Sequence, residues 1–303
     1  MANPLIKLEF LRRFRSASAA WGIPLVVLLP GLAVVGVYAS SVAFVGGSND
    51  VVPVAGPGIN GQVMNGNPFE IQQGLDPNSL PRIGAGMFGA VAVTLFITLL
   101  VLVPAFVGAS IAGERHSQTL QPLQLTAMSP VQIVYGKLVS SLSYLVLALV
   151  CVAPVLVIPF LLGGVSARTV LTSFVLMMVI AFEFAAISLA ISSIMSRPAP
   201  AIIVSLLTVG VITVAPFIVM GLGMASVANN NPGFRAETSS LRFLAGFSPV
   251  SLASWIFDSK TEFSVDFLTR MDRAGSLFWC LAISLVALAI ACMKVRAPVE
   301  RDR

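Results

Sequence analysis

Residues 84–137 read GAGMFGAVAVTLFITLLVLVPAFVGASIAGERHSQTLQPLQLTAMSPVQIVYGK. The first part, Gly84–Ala112, carries no charged side chain and exceeds the roughly 20 apolar residues that a helix needs to cross a hydrocarbon core of about 30 Å. The remainder, Gly113–Lys137, is polar and evenly patterned, and a second charge-free run follows it. The stretch therefore predicts two transmembrane helices joined by a segment at the membrane surface.

The same kind of apolar run recurs along the chain and defines the fold class. Only 10% of the residues are charged and 57% are hydrophobic, whereas a soluble domain carries about a quarter charged residues. The predicted spans are 21–45, 84–112, 138–162, 169–195, 199–228 and 274–293. We therefore predict an all-α polytopic membrane protein with six transmembrane helices and no folded aqueous domain. The first run is too long for the apolar region of a signal peptide, so we expect it to be a span.

Lysine and arginine near the ends of the spans predict the orientation. With the N-terminus inside, the inner side holds Lys7, Arg12, Arg13, Arg15, Arg115, Lys137, Arg197, Lys294, Arg296, Arg301 and Arg303. The outer side holds Arg82, Arg168, Arg235, Arg242, Lys260, Arg270 and Arg273. Both termini are thus predicted to be cytoplasmic, and the net charge of +5 reflects topology rather than nucleic-acid binding.

Motifs that would give the chain a catalytic or metal site of its own are missing. His116 is the one histidine, and the three cysteines, which all fall in predicted spans, have no metal-ligand spacing. No GxxxxGK[ST], HExxH, GxSxG or CxxC motif occurs. We expect no catalytic residue, metal or cofactor in this chain, so any ATPase that drives it must be a separate polypeptide.

Glu183 is the one ionisable residue inside a predicted span. A charged carboxylate costs roughly 2.5–3.5 kcal/mol there, so it should face protein or water. Two interpretations stay open: a cation or proton site on a conduction path, or a structural carboxyl group hydrogen-bonded between helices. Ala186 and Ala190 follow on the small face of the same helix. Four hydroxyls could line a pathway or, more commonly, bond to their own helix: Thr94, Thr98, Thr208 and Thr213.

The segments outside the spans have their own predictions. Residues 1–20 form either an amphipathic helix along the inner leaflet or a basic topology anchor. The outer loop 46–83 is rich in Gly, Pro and Asn, which is typical of irregular structure. In the outer loop 229–273, a stretch too short to span favours re-entrant helices broken at Ser248-Pro249. A helix lying flat on the outer surface is the alternative.

The segment 113–137 predicts a short surface helix flanked by turns. Glu114 and Arg115 mark the inner interface, Ser129-Pro130 predicts the start of a new helix, and Lys137 is placed to extend to the inner headgroups. Such a segment presents a compact contact surface to a partner in the cytosol.

This segment resembles a motif of the permease subunits of the second class of ATP-binding-cassette (ABC) exporters, close to ERxxGTLxxLLxTPLSPxxIxxGK. The matching residues are Glu114, Arg115, Thr119, Leu120, Leu123, Thr126, Ser129, Pro130, Ile133, Gly136 and Lys137. The chain departs from the motif at His116, Pro122 and Ala127. The overall order of an N-terminal helix, six spans and a hydrophobic outer segment also resembles this family.

The resemblance implies a single permease domain over residues 1–303 and a function. Residues 113–137 would include a coupling helix that docks on a separate ATPase, which holds the ATP and Mg. The expected contact residues are Glu114, Arg115, Thr119, Leu120, Leu123, Leu125 and Thr126. Partners would be two ABC ATPase subunits, a second permease, identical or homologous, and membrane lipid. The family implies export across the bacterial cytoplasmic membrane, and the apolar spans suggest a hydrophobic or amphiphilic cargo such as a drug, lipid or peptide.

Two other classes of function compete with this hypothesis. An ion-coupled or cation-exporting transporter would centre on Glu183, but such transporters commonly contain inverted repeats, which this sequence does not display. A membrane-embedded enzyme or scaffold is the third class, and no nucleophile–base constellation supports the enzyme.

Overall fold

A computed structural model describes residues 17–47, 80–118, 130–230, 247–257 and 273–295. Every element in these ranges is a helix. The eight helices are α1 (Ala17–Gly47), α2 (Leu80–Val107), α3 (Ser110–His116), α4 (Pro130–Leu161), α5 (Ala167–Ile194), α6 (Pro198–Asn230), α7 (Pro249–Phe257) and α8 (Arg273–Val295). Of the predicted N-terminal helix 1–20 and the predicted outer loop 46–83, residues 1–16 and 48–79 lie outside the described residues, and the rest belongs to α1 and α2.

Among the described residues, six helical segments are long and apolar enough to cross a membrane, which agrees with the six spans predicted from the sequence. They are Gly22–Ser40, Ile83–His116, Val131–Leu161, Ala167–Ile194, Pro198–Pro216 and Gly275–Val295. Leu28, Leu32 and many other large apolar side chains on their outward faces are exposed, as expected for helices that contact lipid chains.

Two boundaries differ from the sequence prediction. The run Gly84–Ala112 is not one helix, because the helical assignment stops at Val107 and resumes at Ser110. A side chain at Gly108 would place its Cβ 2.5 Å from the Pro104 carbonyl oxygen and from Ser205 Oγ, so glycine is needed where α2 approaches α6. The third span starts early, since α4 begins at Pro130, as the Ser-Pro signal predicted, and continues without a break to Leu161.

Helix α5 occupies the centre of the bundle and contacts every other described helix except α1. Its closest partner is α8, which offers the small buried side chains Ser276, Cys280, Ser284, Ala287 and Ala291. Helix α5 in turn buries Ala186 and Ala190 inside the bundle, and small residues of this kind permit close approach of helix backbones. The predicted small face of the fourth span is therefore an interface within the bundle.

The two ends of α5 mark the two ends of the bundle. Gly163 adopts φ +78 between α4 and α5, and Ser166 caps α5 by accepting a hydrogen bond from the Thr169 amide at 3.2 Å. We call this end the Ser166 end. At the other end of α5, near Ile194, lie α3 and the beginning of α4, and we call it the Lys137 end.

Helix α7 is short but packs inside the bundle, against α5, α8, α2 and α6. Its first turn is almost fully buried, including Ser248, Ser251 and Leu252. The helix starts at Pro249, the position where the sequence predicts a break. The other residues of the predicted outer loop, 231–246 and 258–272, lie outside the described residues.

Candidate functional site

A buried ion pair joins α3 to α4 at the Lys137 end. Lys137 Nζ lies 2.8 Å from Glu114 Oε1 and donates a second hydrogen bond to the Ser110 carbonyl oxygen at 3.2 Å. The Lys137 side chain is only 2% exposed and that of Glu114 is 16% exposed. The predicted extension of Lys137 to the headgroups is therefore wrong: its ammonium group turns inward because a carboxylate and a carbonyl from α3 satisfy it there.

The first turn of α3 is held from the other side by α5. Ser192 Oγ, fully buried, accepts hydrogen bonds from the amides of Ile111 and Ala112, both at 3.0 Å. The residue before the helix, Ala109, offers no side-chain cap. Amides in a first helical turn have no partner within the helix, so Ser192 takes the place of a local N-cap.

The residues expected to contact an ATPase divide into two groups. Glu114 and Arg115 lie in α3, with Arg115 partly buried and the neighbouring His116 exposed. The other expected contacts lie outside the described residues: Thr119, Leu120, Leu123, Leu125 and Thr126. Because Glu114 and Lys137 meet at an ion pair, the two ends of the stretch 115–136 are held together at one place on the bundle.

Glu183 is fully buried in the central helix α5. By the rise of an α-helix it lies about 24 Å from the start of α5 and about 16 Å from its end. Neither carboxyl oxygen has a hydrogen-bond partner among the described residues. The Cys280 thiol of α8 lies against the carboxyl group and interacts with it as a weak sulfur donor. No nitrogen or oxygen donor of the described residues bonds to either carboxyl oxygen, so both interpretations of Glu183 stay open.

The four candidate threonines bond to their own helices. Their hydroxyls donate to the carbonyl oxygen four residues earlier, at 2.7 Å for Thr94, Thr98 and Thr213 and at 2.8 Å for Thr208. Thr98 and Thr213 are also buried. Each hydroxyl donor is therefore used locally, as the commoner of the two interpretations predicted.

A small apolar cleft lies between α2, α4 and α5. Its walls are Phe88, Ala92, Leu95, Leu149, Leu156, Ser173, Phe174 and Met177. Seven of these side chains are apolar, so the cleft suits a hydrocarbon chain or an aromatic ring better than an ion. The described residues contain no group of three or more His, Cys, Asp or Glu that could hold a metal ion.

Sequence reasoning missed two of these features. Ser192 gave no signal, because a serine in an apolar helix ordinarily bonds to its own backbone, as Ser188 does to the Phe184 carbonyl oxygen at 2.7 Å. Cys280 was interpreted as a small apolar residue, and only the packing of α8 on α5 places it beside Glu183.

The fold defines the class of the protein: a helical, multi-pass transmembrane protein. No protein-family model matches the chain, and a search of curated proteins finds no match either. The geometry of the two sites therefore carries the functional argument.

Proposed function

We propose that the chain is the transmembrane permease subunit of an ATP-driven exporter of the second ABC class, with no catalytic site of its own. The observation that carries the proposal is the ion pair between Glu114 and Lys137. These two residues stand near the beginning and at the end of the motif that resembles the family. Their pairing holds the two ends of the motif together at one end of the bundle, which supports docking of this segment on a partner.

In this proposal the Lys137 end faces the cytoplasm of a bacterium, and both termini lie on that side. Two ATPase subunits, which hold the ATP and Mg, dock on the 113–137 segments of two permeases. The second permease is a copy of this chain or a homologue. When the ATPases close on ATP, their motion reaches the transmembrane helices through the docked segments. Membrane lipid surrounds the exposed apolar faces of the helices.

The cleft between α2, α4 and α5 supports an apolar or amphiphilic cargo. Aromatic and aliphatic side chains line it, and Ser173, its one polar residue, donates its hydroxyl to carbonyl oxygens of its own helix at 2.8 and 2.9 Å. The hydroxyl is therefore already used. A drug, lipid or peptide with a hydrophobic portion would fit such a surface better than a hydrophilic solute.

We further propose that α7 is a re-entrant helix at the side opposite the ATPase. Ser248, the buried residue that immediately precedes α7, donates a hydrogen bond to the Thr213 carbonyl oxygen at 2.6 Å. Thr213 lies about 22 Å along α6 from Pro198, which is short of a full membrane crossing of about 30 Å. The start of α7 thus reaches below the outer surface, which supports a re-entrant helix over one lying flat.

The decisive experiment is co-purification of this chain with a candidate ABC ATPase subunit from the same genome. Unmodified permease should capture the ATPase, and Leu120→Asp together with Leu123→Asp should abolish capture, because two carboxylates would replace the apolar docking edge. Leu161→Asp is the matched control, since Leu161 is exposed at the Ser166 end. Undiminished capture and ATP turnover with the double variant would refute the docking role.

A cation-coupled or cation-exporting transporter is the second candidate, and one observation favours it. Glu183 is buried with both carboxyl oxygens unpartnered among the described residues, so a proton or a bound cation must neutralise it. Glu183→Gln should abolish transport while assembly with the ATPase and ATP turnover continue. Full transport by Glu183→Gln would exclude this candidate and leave the apolar exporter.

A further inference from the structure

Helix α3 is fastened to two transmembrane helices by contacts that its own sequence does not supply. It has only seven residues, and a helix this short is not stable alone. From α4, Lys137 reaches the first residue of α3 through the Ser110 carbonyl and the next turn through Glu114. The ammonium group therefore pins both turns of α3 to α4.

The contact from α5 is independent of this ion pair. Ser192 accepts hydrogen bonds from two consecutive amides of α3, which is all that a hydroxyl oxygen with two lone pairs can accept. Both amides belong to buried residues, Ile111 and Ala112, which water does not reach. The lost bonds would have no replacement, so the contact is costly to break.

We infer that Lys137 and Ser192 are positioning residues that make α3 move as one body with α4 and α5, so that force applied to the 113–137 segment reaches the helix that carries Glu183. The inference rests on the proposed function, because the docked ATPase supplies the force. An ion pair from one helix and a cap from another are more than is needed to satisfy the first turn of α3. Together they constrain the position of α3 relative to both helices.

Variants that remove each fastening without leaving a buried charge are available. Glu114→Gln combined with Lys137→Met removes both charges at once, which avoids the folding failure expected from a single buried charge. Ser192→Ala removes the cap, and Ser188→Ala is its matched control: Ser188 is equally buried, on the same helix, but bonds to its own backbone. Lys137→Arg keeps the positive charge and the hydrogen-bond donors, so this variant should behave like the unmodified chain.

The first measurement needs no partner and tests the fastening itself. Amide hydrogen exchange of Ile111–His116 in the purified permease should accelerate at least tenfold in Ser192→Ala and in the Glu114→Gln, Lys137→Met double variant. Ser188→Ala and Lys137→Arg should exchange like the unmodified chain. Unchanged exchange in both fastening variants would overturn the inference, whatever the function of the protein.

The second measurement tests transmission. Spin labels at Ser40 of α1 and Arg168 of α5, both exposed near the Ser166 end, report movement of α5 relative to α1 in a background free of native cysteines. With the ATPase bound, ATP and vanadate should shift the distance between them. Compared at equal ATPase occupancy, the shift should fall by at least half in each fastening variant and should persist in Ser188→Ala and Lys137→Arg. In Ser192→Ala, which changes no expected ATPase contact, ATPase capture and turnover should continue.

The outcomes separate the two proposals. If the unmodified chain captures no ATPase, the proposed function fails, and the exchange measurement still decides whether α3 is fastened as described. If the ATPase is captured and the full distance shift persists without Ser192 or without the ion pair, the proposed function stands and the positioning roles are refuted. Wherever the ATPase is captured, Lys294→Met, which removes an exposed lysine at the end of α8, should show the full shift.

Discussion

Ser248 and Thr213, thirty-five residues apart, are joined by a hydrogen bond of 2.6 Å that fastens α7 to α6. The Ser248 hydroxyl donates to the Thr213 carbonyl oxygen, and its oxygen also accepts from the Val250 amide at 3.2 Å. Thr213 lies in the turn before Pro216, where a proline ring disturbs helical hydrogen bonding and favours a kink. One buried serine thus caps α7 and anchors it to the turn of α6 in which Pro216 disturbs the helical hydrogen bonding.

Ser248→Ala should lower the free energy of unfolding of the detergent-solubilised protein by about 1–3 kcal/mol, because the buried Thr213 carbonyl loses its donor. A thermal unfolding curve measures the effect. Ser143→Ala is the control, since Ser143 bonds to the Val139 carbonyl oxygen of its own helix and its loss should cost much less. Equal curves for the two variants would show that the bond does not anchor α7.

Gly164→Ala should destabilise the Ser166 end, because a Cβ at Gly164 would collide with the backbone of α2 at Ala85 and Pro81. Backbone atoms cannot yield as a flexible side chain can, so we expect a loss of about 1–3 kcal/mol or more. Gly210→Ala is the matched control: a Cβ there meets nothing within 4 Å, and alanine favours a helix over glycine. A thermal melt that leaves Gly164→Ala unchanged would contradict the close approach.

Glu183→Met should raise the free energy of unfolding by about 1–3 kcal/mol, because an apolar side chain of similar length replaces a buried polar group without partners. Glu183→Gln keeps a polar head and should give no such gain. Thermal unfolding of the two variants side by side measures the difference. A stabilised but inactive methionine variant would indicate that the bundle retains Glu183 for function at the expense of stability. A destabilised one would mean that the carboxyl group makes a stabilising contact.

The orientation prediction can be tested with single cysteines placed at exposed positions in a cysteine-free background. His116→Cys at the Lys137 end should react with a membrane-impermeant maleimide only after the cells are permeabilised. Arg168→Cys at the Ser166 end should react in intact cells. The expectation rests on the larger number of lysines and arginines on the His116 side of the membrane. The reverse labelling pattern would place the proposed docking segment outside the cell and exclude an ATPase partner there.

Most of the fold can be predicted from local sequence signals, whereas the contacts in the candidate sites cannot. Charge-free runs predict six spans because length and polarity alone decide whether a helix can cross a membrane, and Ser129-Pro130 predicts the start of α4 because this signal is local. The interruption after Val107 is different, since the apolar run continues through it and only the approach of α6 to Gly108 makes the glycine necessary.

The position of Lys137 could not be predicted from sequence for the same reason. A lysine at the end of a span is expected to extend towards the headgroups, and this preference is overridden only when a partner lies within reach. Glu114 is that partner. The two residues are far apart along the chain, so the sequence gives no indication that the Glu114 carboxylate lies 2.8 Å from the Lys137 ammonium group. Glu183 was predicted to face protein, and it does, but its lack of a hydrogen-bond partner depends on how α8 packs against α5.

The ion pair between Glu114 and Lys137 also bears on how such a protein can change during evolution. It sets the separation of the two ends of the stretch 115–136 without using any side chain within it. Residues between α3 and α4 can then be inserted, deleted or exchanged while the two helices keep their places, since the entropic cost of a longer connection grows only slowly. A protein with this arrangement can acquire a new partner through changes in that short connecting segment, without matching changes in its transmembrane helices.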